Sequence, residues 1–553
     1  MLNLVEKRCE QARFGELFPG ILDENRLVDS FECFQTLKGH GGCVNTLRWN
    51  KYGTTLASGS DDRCIKIWRA GQHRHTIETG HEGNVFAVEF LPSSDDKKLV
   101  SGAADSVVFL HDIESGERRR WEMEDRVKRM ATSQHDPTLF WAAVESESGV
   151  HQFDTRLEVS ECVVNTSHLD PSNSTKSVAV SEAQPHLMAV GFDETPVRIY
   201  DRRNFGEPVL ICAPLDACNY SYHATHVAFN KTGTELVVNH GAGGHVYVFS
   251  LLEANSPQFM ARLDAVMEQC GEPTIVSQSL PHAEDRAAGS TLIRTKKFSR
   301  AVDFYSDLIL RADPDRAFRS VCHSNRGTAL LARRQRGDTY ACVRDCVRAL
   351  EIHRGNSKAL FRLIKSFTTM EKPVLARKCI EKFREWYPED QVPGIEKMEM
   401  DVNQIKDDHR RSQLEAEPGT VDYLQRFVGG GNYQTDIKEA NFFGSRDQYI
   451  VAGSDCGHMF IWNRDTCKIQ GIWKADNHIL NIVQPHPNQF LLASSGIDDD
   501  ILIWQPLLER PEEGFTSRKE DDPYQFMEDR YDGNREQYMS IRELARYGQC
   551  TQS

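Results

Sequence analysis

The feature that most constrains this chain is a sequence pattern that returns several times along it. Its clearest copy runs from Leu37 to Trp68, with a Gly-His pair near the start and an Asp-rich turn before the final Trp. Apolar residues alternate with polar ones between these marks, which predicts short, half-buried β-strands. His40, Ser58, Asp62 and Trp68 are spaced so that they can form a hydrogen-bond chain that ties the turn to the strands on either side. The pattern therefore predicts a small four-stranded sheet.

The same skeleton returns along the chain and predicts a closed ring of such sheets. The further copies are Gly80 to Asp112, Trp141 to Arg156, Ala189 to Arg203, His226 to Phe249, Asn441 to Trp462 and Ile482 to Trp504. Sheets of this pattern are blades of a WD-repeat β-propeller, and five blades followed by two give seven. Phe34 to Leu37 is predicted to supply the outer strand of the last blade, which would close the ring and cover an exposed edge.

Between the fifth and sixth blades the apolar period changes from 2 to 3.6, which predicts an α-helical insert. Small or terminating residues stand at the positions where tetratricopeptide helix pairs pack closely. These pairs are Gly289 with Ala301, Gly327 with Ala349, and Ala376 with Pro388. The sequence thus predicts three tetratricopeptide repeats. The second has about three extra residues near Arg336 to Asp338, and Cys342 replaces an alanine, so we expect its inter-helix turn to be longer than standard.

The predicted fold class is a multidomain chain, an all-β seven-bladed propeller interrupted by an α-helical insert. The domain boundaries are an N-terminal amphipathic segment at 1–30, blades 1 to 5 at 31–252, tetratricopeptide repeats at 281–388, a flexible linker at 389–433, blades 6 and 7 at 434–506, and a mobile acidic tail at 507–553. Leu2, Val5, Cys9 and Ala12 recur at helical spacing, which predicts a helix with one apolar stripe over Met1 to Arg13.

Charge and composition exclude several function classes. The formal net charge is −15, the wrong sign for a chain that coats a phosphate backbone, so we expect no direct nucleic-acid partner. No stretch of about 20 apolar residues predicts a membrane span. The 15 cysteines include no C-x-x-C pair, which is typical of reduced thiols in the cytoplasm or nucleus. We expect the chain in the cytoplasm and nucleus, and the sequence does not indicate a preference because no convincing Lys/Arg-rich import run is present.

The order of the parts resembles the WD and tetratricopeptide repeats protein family, also called the adipose family. Five WD blades and three helical repeats precede TDIKEANFFGSRDQYIVAGSDCG at Thr435 to Gly457, and the resemblance covers about Val28 to Pro506. It implies a substrate receptor of a cullin-four RING ubiquitin ligase that acts as a negative regulator of fat storage. The implied partners are the damaged-DNA-binding adaptor of that ligase and a protein substrate that the sequence does not identify.

Two tandem motifs are candidates for adaptor binding. Blade 3 ends in Phe153-Asp154-Thr155-Arg156 and blade 4 in Tyr200-Asp201-Arg202-Arg203. Both match the aromatic-Asp-x-Arg box that many cullin-four receptors use. The Asp can fix the turn at the strand end while the Arg presents a planar set of donors to carboxylates or carbonyls on a partner. The alternative is that aromatic-Asp is ordinary blade chemistry and that Arg156 and Arg203 are only solvated.

A second candidate site lies in the insert. Many tetratricopeptide domains bind the C-terminal carboxylates of cytosolic chaperones, and the matching positions here are Arg286, Ser290, Asn325, Lys358 and Arg362. Lys358 and Arg362 are four residues apart, on one helix face. Ser290 stands where the family has an asparagine, which shortens the reach and weakens the predicted grip. The alternative is a basic face that only solubilises the insert.

The sequence shows no pattern typical of an enzyme. There is no phosphate-binding loop, no nucleophile elbow and no cysteine in a recognisable catalytic context. His223 and His226 are interpreted as structural because no third ligand of metal-binding spacing stands nearby. We therefore expect no cofactor, no metal and no catalysis. The favoured hypothesis is a non-catalytic receptor, and the alternative is a co-chaperone or chromatin scaffold whose insert binds chaperone tails or histone and corepressor proteins.

Overall fold

The computed structural model of the chain describes residues 25–145, 149–165, 173–215, 223–241, 245–252, 259–268, 282–311, 315–387, 394–405, 419–507 and 517–529. All structural statements below refer to these residues. The helix predicted at Met1 to Arg13 lies outside the described residues. Among the described helices, none has both the length and the apolar character needed to cross a membrane.

Short strands build seven β-sheets in the described part of the chain. In chain order the strands are β1 Phe31–Leu37, β2 Val44–Trp49, β3 Thr55–Ser60, β4 Cys64–Arg69, β5 Gln72–Glu78, β6 Val85–Phe90, β7 Lys98–Ala103, β8 Val107–Asp112, β9 Arg118–Glu122, β10 Val127–Thr132, β11 Leu139–Val144, β12 Val150–Asp154, β13 Ser160–Val164, β14 Thr175–Val180, β15 Leu187–Phe192, β16 Val197–Asp201, β17 Leu210–Cys212, β18 Ala224–Phe229, β19 Glu235–His240, β20 Val246–Ser250, β21 Thr420–Val421, β22 Gln425–Phe427, β23 Ala440–Phe443, β24 Tyr449–Ala452, β25 His458–Asn463, β26 Ile469–Lys474, β27 Leu480–Pro485, β28 Leu492–Gly496 and β29 Ile501–Pro506.

The sheets follow one another around a ring. The first strands contact in the order β2, β6, β10, β14, β18, β23 and β27, and β27 returns to β2. The ring is closed by β1, which pairs antiparallel with β29, Leu37 opposite Ile501 and Phe31 opposite Pro506. This is the closing strand that the sequence predicts. Six sheets have four strands each, and the short parallel strand β21 extends the sheet of β14 to β17 to five, so each sheet fits one propeller blade. We number the blades by their first strands, from β2 as blade 1 to β27 as blade 7.

The predicted hydrogen-bond chain in the first blade is present. His40 contacts Asp62 at 2.7 Å and Ser58 at 2.7 Å, and the indole N–H of Trp68 donates to the Ser58 hydroxyl at 2.9 Å. In the second blade the ring of His111 takes the place of the indole and lies 2.8 Å from the Ser101 hydroxyl. These polar chains are buried, so they fix the register of each blade from inside.

A short helix, α1 Asn25–Asp29, precedes β1. The helices between the third strand of the fifth blade and β21 pack as hairpins. They are α2 Phe259–Glu268, α3 Ala283–Arg294, α4 Phe298–Leu310, α5 Arg316–Arg333, α6 Asp338–Ile352, α7 Ser357–Thr369, α8 Pro373–Trp386 and α9 Ile395–Gln404. The small residues stand where neighbouring helices are closest. A Cβ on Gly289 would lie 2.4 Å from the Tyr305 hydroxyl, and one on Gly327 would lie 3.0 Å from the Cys342 sulfur.

The extra residues of the second hairpin lengthen a helix more than a turn. Helix α5 has 18 residues, whereas α3 has 12 and α7 has 13. The turn at 334–337 is only one residue longer than the turns at 295–297 and 370–372. The expected longer turn is thus nearly standard, because the added residues continue the helical hydrogen bonding of α5 towards the propeller.

The lengthened hairpin docks the helices on the fifth blade. The Arg336 carbonyl accepts hydrogen bonds from His245 at 2.9 Å and from Arg426 at 2.5 Å. Arg426 also donates to Asp338 at 2.5 Å, and Tyr340 donates to Asp422 at 2.7 Å. One apolar core runs through both parts, joining blades 4 and 5 to helices α2 and α5 to α9. The insert is therefore packed against the propeller.

Two predicted boundaries differ from the structure. The outer strand of the fifth blade is β22, which pairs with β20 after the insert, so 31–252 does not contain five complete blades. The range 389–433, predicted as a flexible linker, contains α9, β21 and β22. Its polar composition conceals these elements because the strands are only two and three residues long and carry little periodic signal.

The tail predicted as mobile over 507–553 is packed in its described part. The carbonyl of Arg518 accepts a hydrogen bond from Lys474 N at 2.8 Å, and Glu520 N donates to the Ile472 carbonyl at 2.8 Å. The segment thereby adds to the edge of β26, and a helix follows over 523–529. Charged residues dominate this stretch, and their composition predicts exposure to solvent. The pairing with β26 uses backbone atoms, so the composition does not indicate it.

Candidate functional site

The two predicted boxes occupy equivalent places on neighbouring blades. Asp154 ends β12 and Asp201 ends β16, each the third strand of its blade. The two blades are adjacent because β10 contacts β14. The turns that leave these strands therefore bring both boxes to the same rim of the ring.

Each arginine is fixed by the aspartate of its own box. Arg156 donates to Asp154 from its backbone N at 2.9 Å, from Nε at 2.9 Å and from Nη2 at 2.5 Å. Arg203 repeats this geometry on Asp201, with distances of 3.0, 2.9 and 2.5 Å. The arginine side chains remain 71% and 74% exposed. Each guanidinium is thus held in one orientation before any partner binds, while most of the arginine side chain faces solvent.

The pairing also fixes the charge of the boxes. The hydrogen bonds of Arg156 lower the pKa of Asp154 to about 2, and those of Arg203 lower the pKa of Asp201 well below its usual range. Both carboxylates are therefore ionised at neutral pH. Among the described residues, neither Nη1 hydrogen-bonds to another protein group, so each arginine keeps donors for a partner carboxylate or carbonyl.

Sequence reasoning missed the residues that hold the box turns in place. Arg202, beside Arg203, turns inward to pair with Asp136 and stacks on Trp141, its guanidinium carbon 4.3 Å from the ring centroid. Arg119 from the second blade donates to the Thr155 carbonyl at 2.5 Å. The box predicts that Arg203 faces solvent, but no sequence pattern indicates that Arg202 turns inward onto Asp136 and Trp141.

Apolar side chains are exposed next to both boxes. Val159 immediately precedes β13 and Val209 immediately precedes β17, so they occupy matching positions on the two blades. Their exposed fractions are 73% and 49%, and that of Leu157 is 53%. A rim that combines oriented arginines with exposed apolar side chains has the composition of a protein-binding surface.

The predicted groove residues lie on the first helix of each hairpin. Arg286 and Ser290 are on α3, Asn325 is on α5, and Lys358 and Arg362 are on α7. Burial raises the pKa of the Tyr305 hydroxyl, and the nearby Asn325 and Ser290 partly offset this effect. Tyr305 thus lies close to two of the predicted residues.

Arg362 is anchored across the groove. Its Nη1 donates to the Ser324 hydroxyl at 2.5 Å, which links α7 to α5. Its burial lowers the pKa of its guanidinium, whereas Lys358 and Ser290 are exposed. The structure therefore fixes Arg362 against α5 and leaves Ser290 and Lys358 exposed to solvent.

The histidines interpreted as structural have structural partners. His226 lies 2.9 Å from the Ala440 carbonyl, and burial lowers its pKa to about 3, so its ring is neutral. His223, which directly precedes β18, pairs with Asp193, which directly follows β15.

Asp476, His478 and Asp498 place potential metal-ligand atoms within 4.8 Å of one another. Asp476 accepts hydrogen bonds from the backbone N of His478 at 2.8 Å and of Asp498 at 3.0 Å, so this group fixes a turn.

The charged start of the Thr435 to Gly457 segment, to which the sequence assigned no site, lies at the centre of the ring. Residues 435–439 follow the insert and lie against the innermost strands. Asp436 pairs with Lys128 at 2.8 Å, and Glu439 pairs with Arg129 at 2.6 Å and with Arg48 at 3.3 Å. These partners come from blades 3 and 1, so the segment links two blades that do not adjoin each other.

Comparison with known proteins identifies both the repeats and relatives of the whole chain. The family described as "WD domain, G-beta repeat" matches residues 31–69 and 71–112. The WD and tetratricopeptide repeats protein 1 of mouse and that of human are each 30% identical to this chain, over 88% of it and 86% of the relative. The DDB1- and CUL4-associated factor 6 of mouse is 30% identical over 41% of this chain and 28% of its own length. With that identity and coverage, the chain belongs to the family of WD and tetratricopeptide repeats proteins.

Proposed function

We propose that this protein is a non-catalytic substrate receptor of a cullin-four RING ubiquitin ligase. The observation that carries the proposal is the pair of oriented, exposed arginines, Arg156 and Arg203, on one rim of adjacent blades. The similarity to a relative named for its association with DDB1 and CUL4 supports it. In this proposal the rim docks the adaptor, the rest of the surface recruits a substrate, and ubiquitin transfer is performed by the partner enzymes.

The proposal includes the finer architecture that the function needs. We take the seven sheets as a seven-bladed WD-repeat propeller and the hairpins α3 to α8 as three tetratricopeptide repeats, because close packing at Gly289 and Gly327 is what such helix pairs require. The N-terminal segment, with its apolar stripe, would be a short helix seated in a groove of the adaptor. The family resemblance adds negative regulation of fat storage, in the cytoplasm and nucleus.

Adaptor co-purification tests the receptor function directly. The variant R156A/R203A should lose the adaptor from its eluate, whereas R120A, which removes an exposed arginine from β9 of the second blade, should retain it. The melting temperature should hardly change in either variant, because exposed arginines contribute within about 0.5 kcal/mol to folding. Wild-type adaptor yield from the double variant would contradict the proposal.

A second candidate function rests on the groove of the insert. Arg362, anchored by Ser324, and the neighbouring Asn325 could hold an acidic peptide terminus. A co-chaperone or a chromatin scaffold would use this groove for chaperone tails or for histone and corepressor proteins. Truncation of Met1 to Phe18 separates the two functions, since it should weaken adaptor binding and leave acidic-peptide binding unchanged.

A further inference from the structure

The described part of the C-terminal tail occupies a surface formed by three parts of the chain. Residues 517–520 run antiparallel to β26, with Lys519 opposite Trp473. The Lys519 ammonium lies 3.0 Å from Asp29 and 5.3 Å from the centre of the Trp473 ring. Strand β26 is the outermost strand of its sheet in the described chain, so the segment adds a strand to an open edge, as bound peptides do.

The following helix reaches the insert. Asp522 begins it, accepting hydrogen bonds from the backbone N of Tyr524 at 3.0 Å and of Gln525 at 3.2 Å. The same carboxylate pairs with Arg300 of α4. The Arg300 guanidinium also lies over the Tyr524 ring, 5.2 Å from its centroid, and the Tyr524 hydroxyl donates to Asp303. One arginine and one aspartate of α4 thus recognise an acidic residue followed by a tyrosine two positions later.

Two apolar side chains complete the contact on the propeller side. The Phe526 ring lies 4.6 Å from that of His458. Met527 fills the space over Gly429, where a Cβ would lie 2.6 Å from the methionine sulfur. Tyr524 and Met527 also line a cavity of about 370 Å³ between the helices and the propeller. The surface therefore has one anion position, one hydroxyl position and two apolar positions at fixed spacing.

The contacts that hold the segment are those of a weak complex strengthened by tethering. Asp522 and Arg300 are 44% and 36% exposed, and exposed ion pairs contribute only about 0 to 1 kcal/mol. The segment follows β29 after a short connection, so it benefits from an effective concentration on the order of millimolar. Occupation by the chain itself is then favoured without high intrinsic affinity.

We propose that the edge of β26 together with Arg300 and Asp303 is a peptide-docking groove that residues 517–529 occupy in cis. The partner that fits it is a protein segment with a short extended stretch, then Asp-Pro-Tyr and two apolar residues two and three positions after the tyrosine. Such a segment binds by displacing the tail. The groove is separate from the box rim, and it does not depend on adaptor binding.

Peptide binding to a chain that ends at Leu507 tests the proposal. A fluorescein-labelled peptide of residues 517–529 should bind this chain, measured by anisotropy, at least tenfold more tightly than it binds the full chain, whose groove is filled. If truncation lowers the melting temperature, the full-length variant Y524A/F526A, which releases the tail in place, serves as the acceptor. Equal binding to the full chain, or no binding to a folded tail-free chain, would overturn the proposal.

Two further arms separate recognition from nonspecific attraction. In the tail-free chain, R300E should abolish binding and a D522K peptide should restore it, whereas K297E, at an exposed lysine before α4, should leave affinity unchanged. A peptide that keeps Lys519, Asp522, Pro523, Tyr524, Phe526 and Met527 but differs elsewhere should bind within threefold of the native peptide. If it fails while the native peptide binds, the groove does not accept partner segments and that part of the proposal is wrong.

Discussion

Arg129 and Glu439 are 310 residues apart in the chain and form a buried hydrogen bond of 2.6 Å between Nη1 and Oε1 at the centre of the ring. Glu439 also accepts from Arg48 at 3.3 Å and from Gln484 at 2.5 Å. Its side chain is fully buried. A single carboxylate thus holds blades 1, 3 and 7 together through the segment that follows the insert, so the return of the chain from the helices is coupled to closure of the propeller.

The variant E439Q should destabilise the propeller by about 3 to 5 kcal/mol at neutral pH, because it leaves the buried Arg129 without its counter-charge and removes one of the two carboxylates that pair with Arg48. Urea denaturation followed by tryptophan fluorescence measures this. E122Q, at an exposed glutamate of β9, is the matched control and should stay within about 0.5 kcal/mol of wild type. A similar small effect from both variants would show that the central ion pairs contribute little.

The pH dependence of the same pair follows from the pKa of Glu439. Burial opposes its ionisation, but Arg129 and Arg48 outweigh burial and lower the pKa from 4.5 to about 2. A lowered pKa in the folded state stabilises the fold above the unfolded value, and this contribution is lost as pH falls. The difference in unfolding free energy between wild type and E439Q should therefore shrink as pH is lowered from 4.5 towards 2.

Arg202 and Arg203 are neighbours with opposite roles, which gives a second prediction. R202A should lower stability by about 1 to 2 kcal/mol, because it removes an ion pair with Asp136 and a stacking contact with Trp141. R203A should leave stability within about 0.5 kcal/mol of wild type and should weaken adaptor binding. Thermal denaturation and adaptor pull-down on the same two variants check both halves. The reverse assignment of effects would show that Arg203 is the structural residue.

Most of the fold could be predicted from the sequence because the residues that define a blade lie close together in the chain. His40, Asp62 and Trp68 fall in one short segment, and their hydrogen bonds are present as predicted. The box positions were equally predictable, since Asp154 and Asp201 end regular strands. What the sequence did not predict depends on contacts between distant segments. Strand β22 joins a blade whose other strands precede it by about 175 residues or more, and no local pattern reports that.

The chemistry of the groove in the helical insert was also predictable only in part, because it depends on contacts between separate helices. The identities of Asn325 and Arg362 could be matched by position, but the Ser324 hydroxyl that anchors Arg362 is an ordinary serine in the sequence. The tail differs from its prediction because its charged residues suggest solvation, whereas the backbone atoms of Arg518 and Glu520 hydrogen-bond to β26. Backbone pairing and inward or outward rotation of a side chain are set by the tertiary structure.

Docking of the insert on the fifth blade provides a third prediction. Arg426 donates to both the Arg336 carbonyl and Asp338, so R426A should weaken the junction by about 2 to 3 kcal/mol, the value of a charge-assisted hydrogen bond. Hydrogen exchange should accelerate in α6 while the first three blades remain protected. R316A, at an exposed arginine that begins α5, should leave exchange unchanged. Uniform acceleration in all blades would show instead that the junction and the ring unfold as one unit.

The last prediction concerns the strength of the groove in the insert. Ser290 is exposed near Tyr305, and Arg362 is already held by Ser324, so the arginine is ready for an anion while position 290 lacks reach. S290N should tighten binding of an acidic C-terminal peptide by about 1 to 2 kcal/mol, the lower end for a hydrogen bond to a charged group, because position 290 is exposed to solvent. Added salt should loosen binding in wild type and variant alike, because the contact is between charges near the surface. T291N is the matched control, since the next helical position points about 100° away and should not change affinity. Calorimetry that finds no binding to wild type and S290N alike would exclude the groove as a carboxylate site, whereas equal gains in S290N and T291N would attribute the effect to helix α3 as a whole.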